Sequence, residues 1–135
     1  MALNVLVVDD SKVMRAIIIK TLRLSQSELG EVYEAADGQE ALKVLGGHWI
    51  DLALVDINMP VMDGGEMIDR LRQNPATADL PVIIVSTEGS ETRKEVLRHK
   101  GVGFVHKPFT PESLRDAISW TLGGLNEQKT GDGTL

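Results

Sequence analysis

The chain has 135 residues and a formal net charge of −6, so it is long enough for one domain and has no basic stretch with which to bind nucleic acid. It contains no cysteine, which excludes disulfides and thiolate metal sites. No apolar stretch approaches the roughly 18 residues of a membrane span, and the first residues do not resemble a signal peptide, so we expect a cytoplasmic protein without membrane contacts.

Short aliphatic runs alternate with helical patterns along the chain. Such runs are typical of strands buried on both faces, because helices cover both sides of a parallel sheet. In chain order we predict strand 4–8, helix 11–24, strand 32–35, helix 38–45, strand 52–55, helix 66–73, strand 82–85, helix 91–99, strand 104–106 and a last helix that Thr110 caps and that ends at Gly123 and Gly124. This alternation predicts right-handed βαβ units and a parallel sheet.

The helical wheels divide the first and last helices into apolar and polar faces. The predicted apolar face of the first helix consists of Met14, Ile17, Ile18, Thr21 and Leu24. Its predicted solvated face carries the basic residues Lys12, Arg15, Lys20 and Arg23, and Ile19 lies on the same arc. In the last helix, Trp120 lies outside the apolar face, which indicates an exposed aromatic of the kind that anchors interfaces.

Four of the predicted strands are followed by side chains with oxygen or nitrogen atoms. These are Asp9 and Asp10 after the first strand, Asp56 after the third, Ser86 after the fourth and Lys107 after the fifth. Ligands of open α/β sheets bind at the carboxyl ends of the strands, where these side chains would gather. Three carboxylates, a hydroxyl and an ammonium group suit a divalent cation and a phosphoryl group.

These residues, in this order, resemble the receiver domain of two-component response regulators. The matching segments are Asp9-Asp10-Ser11, the run from Asp56 to Gly64 that includes Asn58-Met59-Pro60 and Asp63-Gly64, Ser86, and Lys107-Pro108-Phe109. The similarity extends over residues 3–122 and is greatest to the single-domain chemotaxis regulators, the CheY-like group. It implies a flavodoxin-like (CheY-like), doubly wound five-stranded parallel sheet in the order 2-1-3-4-5 with five helices. We expect residues 1–122 to form the receiver domain and residues 123–135 a flexible C-terminal tail.

The resemblance implies a role for each strand-end residue. Asp56 would be the phosphoacceptor, and it would bind Mg²⁺ together with Asp9, Asp10 and the backbone carbonyl of Asn58. Ser86 and Lys107 would bind the phosphoryl oxygens, with a cis peptide bond at Lys107–Pro108. Three plainer interpretations stay open. Asp9 or Asp10 could simply cap the first helix. Lys107 could be a solvated surface charge. A shifted strand would put Thr87 in place of Ser86.

The resemblance also implies how the signal is passed on. Ser86 and Phe104 would form the switch pair, although a plain core role for Phe104 stays open, and Asn58 and Glu88 would tune the loss of the phosphoryl group. The surface that changes would comprise the fourth helix, fifth strand and fifth helix. The expected partners are a CheA-like sensor histidine kinase and a downstream target such as the flagellar switch or a phosphatase, and we expect a monomer.

Three other functions compete with this hypothesis. A haloacid dehalogenase-type phosphohydrolase also uses a strand-end aspartate and magnesium, but it requires an acid two residues later, where this chain has Asn58. A flavodoxin-like electron carrier would need a phosphate-binding loop after the first strand, where Asp9 and Asp10 would repel the FMN phosphate. A stand-alone receiver in a phosphorelay or an enzyme-regulating pathway outside chemotaxis fits the sequence equally well.

Overall fold

The computed structural model describes residues 2–26, 28–56, 62, 64–86 and 101–130 of the chain. Within these residues the strands are β1 (Leu3–Val8), β2 (Leu29–Ala35), β3 (Leu52–Val55), β4 (Val82–Ser86) and β5 (Val102–His106). The helices are α1 (Lys12–Ser25), α2 (Gly38–Gly47), α3 (Gly64–Gln73) and α4 (Pro111–Thr130). The helix predicted at residues 91–99 lies outside the described part of the chain. No helix in the described part is long and apolar enough to cross a lipid bilayer.

The five strands form one parallel sheet in the order β2-β1-β3-β4-β5. This confirms the predicted fold class and strand order. The two edge strands begin earlier than predicted, at Leu29 and Val102. At the start of β2, Leu29 pairs with Leu3 of β1, and the side chain of Asn4 accepts a hydrogen bond from the backbone N–H of Glu31 at 2.9 Å. A polar edge strand of this kind lacks the aliphatic run that marks the central strands.

The sheet separates two apolar cores, as the alternation of side chains along each strand requires. One face packs against α1 and α4, through residues that include Val7, Leu54, Ile18 and Leu114. The other packs against α2 and α3, through residues that include Leu6, Ala53, Ala41 and Ile68. Because β1, β3 and β4 are covered on both sides, the site residues that follow these strands are attached to the most deeply buried part of the sheet.

The predicted orientation of α1 is wrong in part. Ile18 and Leu22 are buried, whereas Ile17 and Leu24, which we assigned to the apolar face, are exposed. Ile19, assigned to the polar arc, packs partly against the core. Three isoleucines in succession leave the rotation of the helix undetermined, and contact with the sheet decides which one is buried. The exposure of Trp120, at 69%, agrees with its predicted place outside the apolar face of the last helix.

Helix α4 begins as predicted and continues past its predicted end. The N–H of Ser113 donates to Oγ1 of Thr110 at 3.0 Å, and Pro111 is the first helical residue. The helix then extends to Thr130 and does not end at Gly123 and Gly124. Glycine costs a helix about 1 kcal/mol relative to alanine, but it retains its N–H, so it ends a helix only where the chain turns into a left-handed conformation. Among the described glycines, only Gly101 has a positive φ, of 73°. The division at residue 122 between domain and tail remains a prediction.

Arg72 connects the end of α3 to the strands that follow. Its Nη1 donates to the carbonyl oxygens of Ala78 at 3.1 Å and Leu80 at 2.8 Å, and its Nη2 donates to that of Gly101 at 3.1 Å. Burial lowers the pKa of the Arg72 guanidinium from its ordinary value, and the nearby Asp79 carboxylate partly offsets this. A charged donor to three carbonyls fixes the loop before β4 relative to the turn before β5.

We predict that Arg72→Gln lowers the free energy of unfolding by about 2 kcal/mol, because charge-assisted bonds to two part-buried carbonyls and one exposed carbonyl are lost. Urea denaturation followed by circular dichroism measures the change. Arg70→Gln on the same helix is the matched control. Arg70 pairs with Glu66 at 3.3 Å, both side chains are exposed, and such i,i+4 pairs contribute about 0.5 kcal/mol or less. Equal effects of the two substitutions would contradict the role given to Arg72.

Candidate functional site

The sheet's own hydrogen bonds position the backbone of the strand-end residues. The N–H of Asp9 donates to Ala35 at 3.1 Å, and the N–H of Asp56 donates to Val8 at 2.9 Å. In the half of the sheet formed by β4 and β5, the N–H of Lys107 donates to the carbonyl oxygen of Ser86 at 2.9 Å. Each of these bonds continues a parallel ladder one residue beyond the end of a strand. The three functional side chains therefore begin from one edge of the sheet.

Three carboxylates meet at this edge. Asp9, Asp10 and Asp56 each offer an oxygen, and these oxygens lie within 4.8 Å of one another. Asp9 is 2% exposed, Asp56 is half-buried and Asp10 is exposed. Carboxylates at this separation repel one another, and the repulsion strengthens where burial lowers the local dielectric constant. The cluster is therefore a place where a cation stabilises the folded protein.

Asp9 is held by two groups besides the sheet. Its Oδ1 accepts a hydrogen bond from the N–H of Ser11 at 2.9 Å, and its Oδ2 forms an ion pair with Nζ of Lys107 at 3.4 Å. The cap of α1 is Ser11 itself, whose Oγ accepts from the N–H of Met14 at 3.1 Å. The structure thus places Asp9 in the carboxylate cluster and gives the capping role to Ser11.

Lys107 points into the site rather than into solvent. Its side chain is 17% exposed and its ammonium group reaches Asp9, so the interpretation of Lys107 as a solvated surface charge is wrong. The peptide bond between Lys107 and Pro108 is cis, the isomer that the resemblance implies. The site therefore combines one ammonium group with three carboxylates. A divalent cation would offset the excess of negative charge.

The remaining predicted residues fall into two groups. Ser86 is buried at the end of β4, and Phe104 is partly buried on β5, where it packs against the core formed with α2 and α3. Ser86 pairs with His106 in the sheet, two residues along β5 from Phe104. Asn58, Glu88 and the alternative hydroxyl of Thr87 lie outside the described residues. The roles of all these residues stay predictions.

The donor set fits a hard divalent cation such as Mg²⁺. Magnesium is bound by oxygen at about 2.0–2.1 Å, so two ligands on opposite sides of the ion are about 4 Å apart. No two of the three carboxylate oxygens are more than 4.8 Å apart, a limit only slightly above this largest ligand separation, so one ion could be shared by all three. Mg²⁺ also keeps several waters and prefers one or two carboxylates with phosphate oxygens, and the exposure of Asp10 leaves the cluster open to both.

Sequence reasoning missed Arg15, which we had placed on the solvated face of α1. Its Nη1 donates to the backbone carbonyl of Asp9 at 2.7 Å, and its Nε pairs with Oε1 of Glu34 at 2.9 Å. The available signal was its position one helical turn after the cap Ser11, which puts it beside the end of β1. A helical wheel reports only the direction from the helix axis, so it could not show this contact.

Comparison with known proteins places the chain among signalling domains. Residues 5–119 match the family described as the response regulator receiver domain. The chain is 37% identical over 124 residues to the chemotaxis protein CheY homolog of Campylobacter jejuni subsp. jejuni, covering 90% of this chain and 93% of that protein. It is 34% identical over 120 residues to the cyclic di-GMP phosphodiesterase response regulator RpfG of Xanthomonas campestris pv. campestris, covering 88% of this chain and 32% of that protein.

Among solved structures, the chemotaxis response regulator CheY4 of Vibrio cholerae has the same fold. The TM-score is 0.79 at 33% sequence identity, and the match covers 90% of this chain and 99% of that chain. The similarity therefore includes both the sequence and the path of the backbone over 90% of this chain.

We predict that Asp10→Asn raises the free energy of unfolding without divalent cations by about 1 kcal/mol, because one carboxylate is removed from a repulsive cluster. We also expect the further gain on adding Mg²⁺ to become smaller, because a ligand that binds only the folded state stabilises it according to its affinity. Urea denaturation with and without Mg²⁺ measures both effects. The control is Asp116→Asn, an exposed carboxylate on α4. Equal Mg²⁺ gains in the two variants would contradict a cation site at Asp10.

Proposed function

Because this chain belongs to the response regulator receiver domain family, we propose that it is a cytoplasmic, phosphorylation-activated switch that accepts a phosphoryl group on Asp56. The observation that supports this most is the convergence of Asp9, Asp10 and Asp56 at the sheet edge, with Lys107 reaching the same cluster. The chain then acts on itself as a phosphoacceptor and is not an enzyme with a separate substrate. A phosphohydrolase of the haloacid dehalogenase type would need an acid two residues after the nucleophile. This chain has Asn58 at that position, which argues against such an enzyme.

In the proposed reaction a carboxylate oxygen of Asp56 attacks the phosphorus atom of the donor. A new O–P bond forms while the bond from phosphorus to the donor's histidine nitrogen, or to the oxygen of a small acyl phosphate, breaks. The electron pair of that bond leaves with the donor group. Mg²⁺, held by Asp9, Asp10, Asp56 and the backbone carbonyl of Asn58, would supply positive charge that offsets the charge on the phosphoryl oxygens. Lys107 and Ser86 would bind the same oxygens by an ion pair and a hydrogen bond.

We propose a CheA-like histidine kinase as donor and chemotaxis as the pathway, with the flagellar switch or a phosphatase as downstream partner. The identity of 37% to a chemotaxis protein of nearly the same length supports this choice. A stand-alone receiver that serves a phosphorelay or regulates an enzyme is the second candidate. It is supported by the 34% identity to a receiver within a longer cyclic di-GMP phosphodiesterase response regulator. Asn58 and Glu88 are proposed to set the lifetime of the aspartyl phosphate.

The proposed output surface includes β5 and α4, which is the fifth helix of the sequence prediction. A groove of about 500 Å³ lies there, lined by residues that include Phe104, Ala117 and Trp120. Trp120 is 69% exposed, as expected for an aromatic that anchors a partner. A full switch from 1:99 to 99:1 requires about 5.5 kcal/mol, whereas a charge-assisted hydrogen bond from Ser86 contributes about 1.5–3 kcal/mol. Phosphorylation alone should therefore shift the population partly, and a partner that selects the active state completes the shift.

We predict that incubation with Mg²⁺ and acetyl phosphate adds the mass of one phosphoryl group to the wild-type chain. Asp56→Asn should abolish the addition, because an amide is not a nucleophile for this transfer. Intact-mass spectrometry measures the product, and chelation of Mg²⁺ should suppress it. Asp116→Asn is the control and should be phosphorylated like the wild type. Phosphorylation that survives Asp56→Asn would contradict the assignment of the phosphoacceptor.

We further predict that activation reaches Trp120. In a Trp49→Phe background, Trp120 is the single tryptophan, so beryllofluoride with Mg²⁺ should change its emission. Ser86→Ala should reduce this change, because the proposed contact between the hydroxyl and the acyl-phosphate analogue is lost, and Asp56→Asn should remove it. Unchanged emission in a chain that mass spectrometry shows to be phosphorylated would contradict this output surface.

A further inference from the structure

Arg15 differs from the other basic residues of α1. Lys12, Lys20 and Arg23 are exposed, whereas the Arg15 side chain is only 14% exposed. Its Nη1 donates to the carbonyl oxygen of Asp9 at 2.7 Å, and its Nε lies 2.9 Å from Oε1 of Glu34 on β2. One guanidinium group therefore joins α1, the residue after β1, and the edge strand β2.

The carbonyl that Arg15 binds has a special position in the chain. It belongs to the planar peptide unit that links Asp9 to Asp10, so its orientation fixes ψ of Asp9 and restricts φ of Asp10. Asp9 is already fixed on its other side, where its N–H donates to Ala35 at 3.1 Å. The bond from Arg15 fixes the remaining rotation. It thus sets the direction in which the chain continues from Asp9 to Asp10, and with it the position of the Asp10 carboxylate relative to that of Asp9.

Glu34 makes this arrangement compatible with cation binding. An unpaired guanidinium beside the carboxylate cluster would repel a divalent cation. Glu34 pairs with Nε of Arg15 while Nη1 binds Asp9, and so offsets the charge of the guanidinium. The ion pair also fixes the orientation of the Arg15 guanidinium, because Nε and Nη1 of one rigid group bind two partners at once.

We propose that Arg15, held by Glu34, is a positioning residue that orients the Asp9–Asp10 peptide so that both carboxylates face a divalent cation. This inference rests on the proposed function, in which that cation supports phosphoryl transfer to Asp56. Arg15 acts through the backbone of Asp9 and touches neither the phosphoryl group nor the cation. Removing it should weaken cation binding and leave the chemistry of the fully loaded site almost unchanged.

The test measures Mg²⁺ affinity without any phosphoryl donor, by following amide resonances of the full chain during an Mg²⁺ titration. Arg15→Gln should raise the Mg²⁺ Kd about tenfold, a typical loss when a group that orients a metal ligand is removed. Glu34→Gln should raise it less, about threefold by the same reasoning, because the bond to Asp9 remains but its anchor is lost. Arg23→Gln, an exposed arginine of the same helix, is the control and should leave the Kd unchanged.

Arg15→Lys distinguishes orientation from charge. Lysine keeps the positive charge but lacks the rigid fork, so it should not restore the wild-type Kd. A second readout needs no metal: hydrogen exchange of the Ser11 N–H, which donates to Oδ1 of Asp9 at 2.9 Å, should accelerate in Arg15→Gln. Urea denaturation in parallel confirms that the variants are folded. If Arg15→Gln does not fold, Glu34→Gln carries the test.

Phosphorylation by acetyl phosphate is then measured as a function of Mg²⁺ concentration. The Mg²⁺ concentration at half-maximal rate should rise in Arg15→Gln, while the maximal rate stays within about twofold of wild type because the fully loaded site is the same. A wild-type Mg²⁺ Kd in Arg15→Gln, or full rescue by Arg15→Lys, would overturn the inference, as would a wild-type chain that binds no Mg²⁺. If the wild type binds Mg²⁺ with the expected variant effects but is never phosphorylated, the proposed function fails and the positioning role stands.

Discussion

The buried carboxylate of Asp9 is the constraint on which the site depends. At 2% exposure it has lost most of its water, and it is compensated by the N–H of Ser11 and the ammonium group of Lys107. A buried charge without such partners would be strongly destabilising. Its compensation draws the start of α1 and the end of β5 toward the end of β1. The contacts that compensate the buried Asp9 carboxylate therefore also assemble the pocket.

The parallel sheet gives this pocket its rigidity. Asp9, Asp56 and Lys107 each donate a backbone hydrogen bond to the neighbouring strand, so their Cα atoms are held by the ladder and not by loops. Both faces of the sheet are covered by apolar side chains, which leaves the carboxyl edge as the place where polar groups can gather. Sites on rigid elements keep their geometry better than sites on loops, which suits a switch whose charge change must be felt at a distance.

Two arginines stabilise the fold by binding backbone carbonyls, and neither takes a direct part in the proposed phosphoryl transfer. Arg72 binds the carbonyls of Ala78, Leu80 and Gly101, and Arg15 binds the carbonyl of Asp9. In both cases the planar fork connects the helix to segments outside it, a role for which lysine is poorly suited. Arg72 organises the loop and turn that lead into β4 and β5. Arg15 acts at the carboxyl edge, beside the end of β1, so the two guanidinium groups lie at opposite edges of the parallel sheet.

The sequence alone determined the central strands, the parallel α/β class and the identity of the residues at the strand ends. Runs such as Leu52–Val55 can only be buried on both faces, and parallel strands bring Asp9, Asp56 and Lys107 to one edge whatever the packing details. The cap at Thr110 could also be predicted from the sequence, since it depends only on a side chain and the N–H three residues later.

Only the tertiary structure decided the rotation of α1, the continuation of α4 to Thr130 and the contact of Arg15 with Asp9. The three isoleucines at 17–19 offer several apolar faces of nearly equal hydrophobicity, so contact with the sheet selects among them. Two glycines weaken a helix without ending it, and local propensity does not decide the outcome. Arg15 meets Asp9 because the helix folds back on its own strand. A contact of that kind depends on the distance between elements, which no periodicity along the chain records.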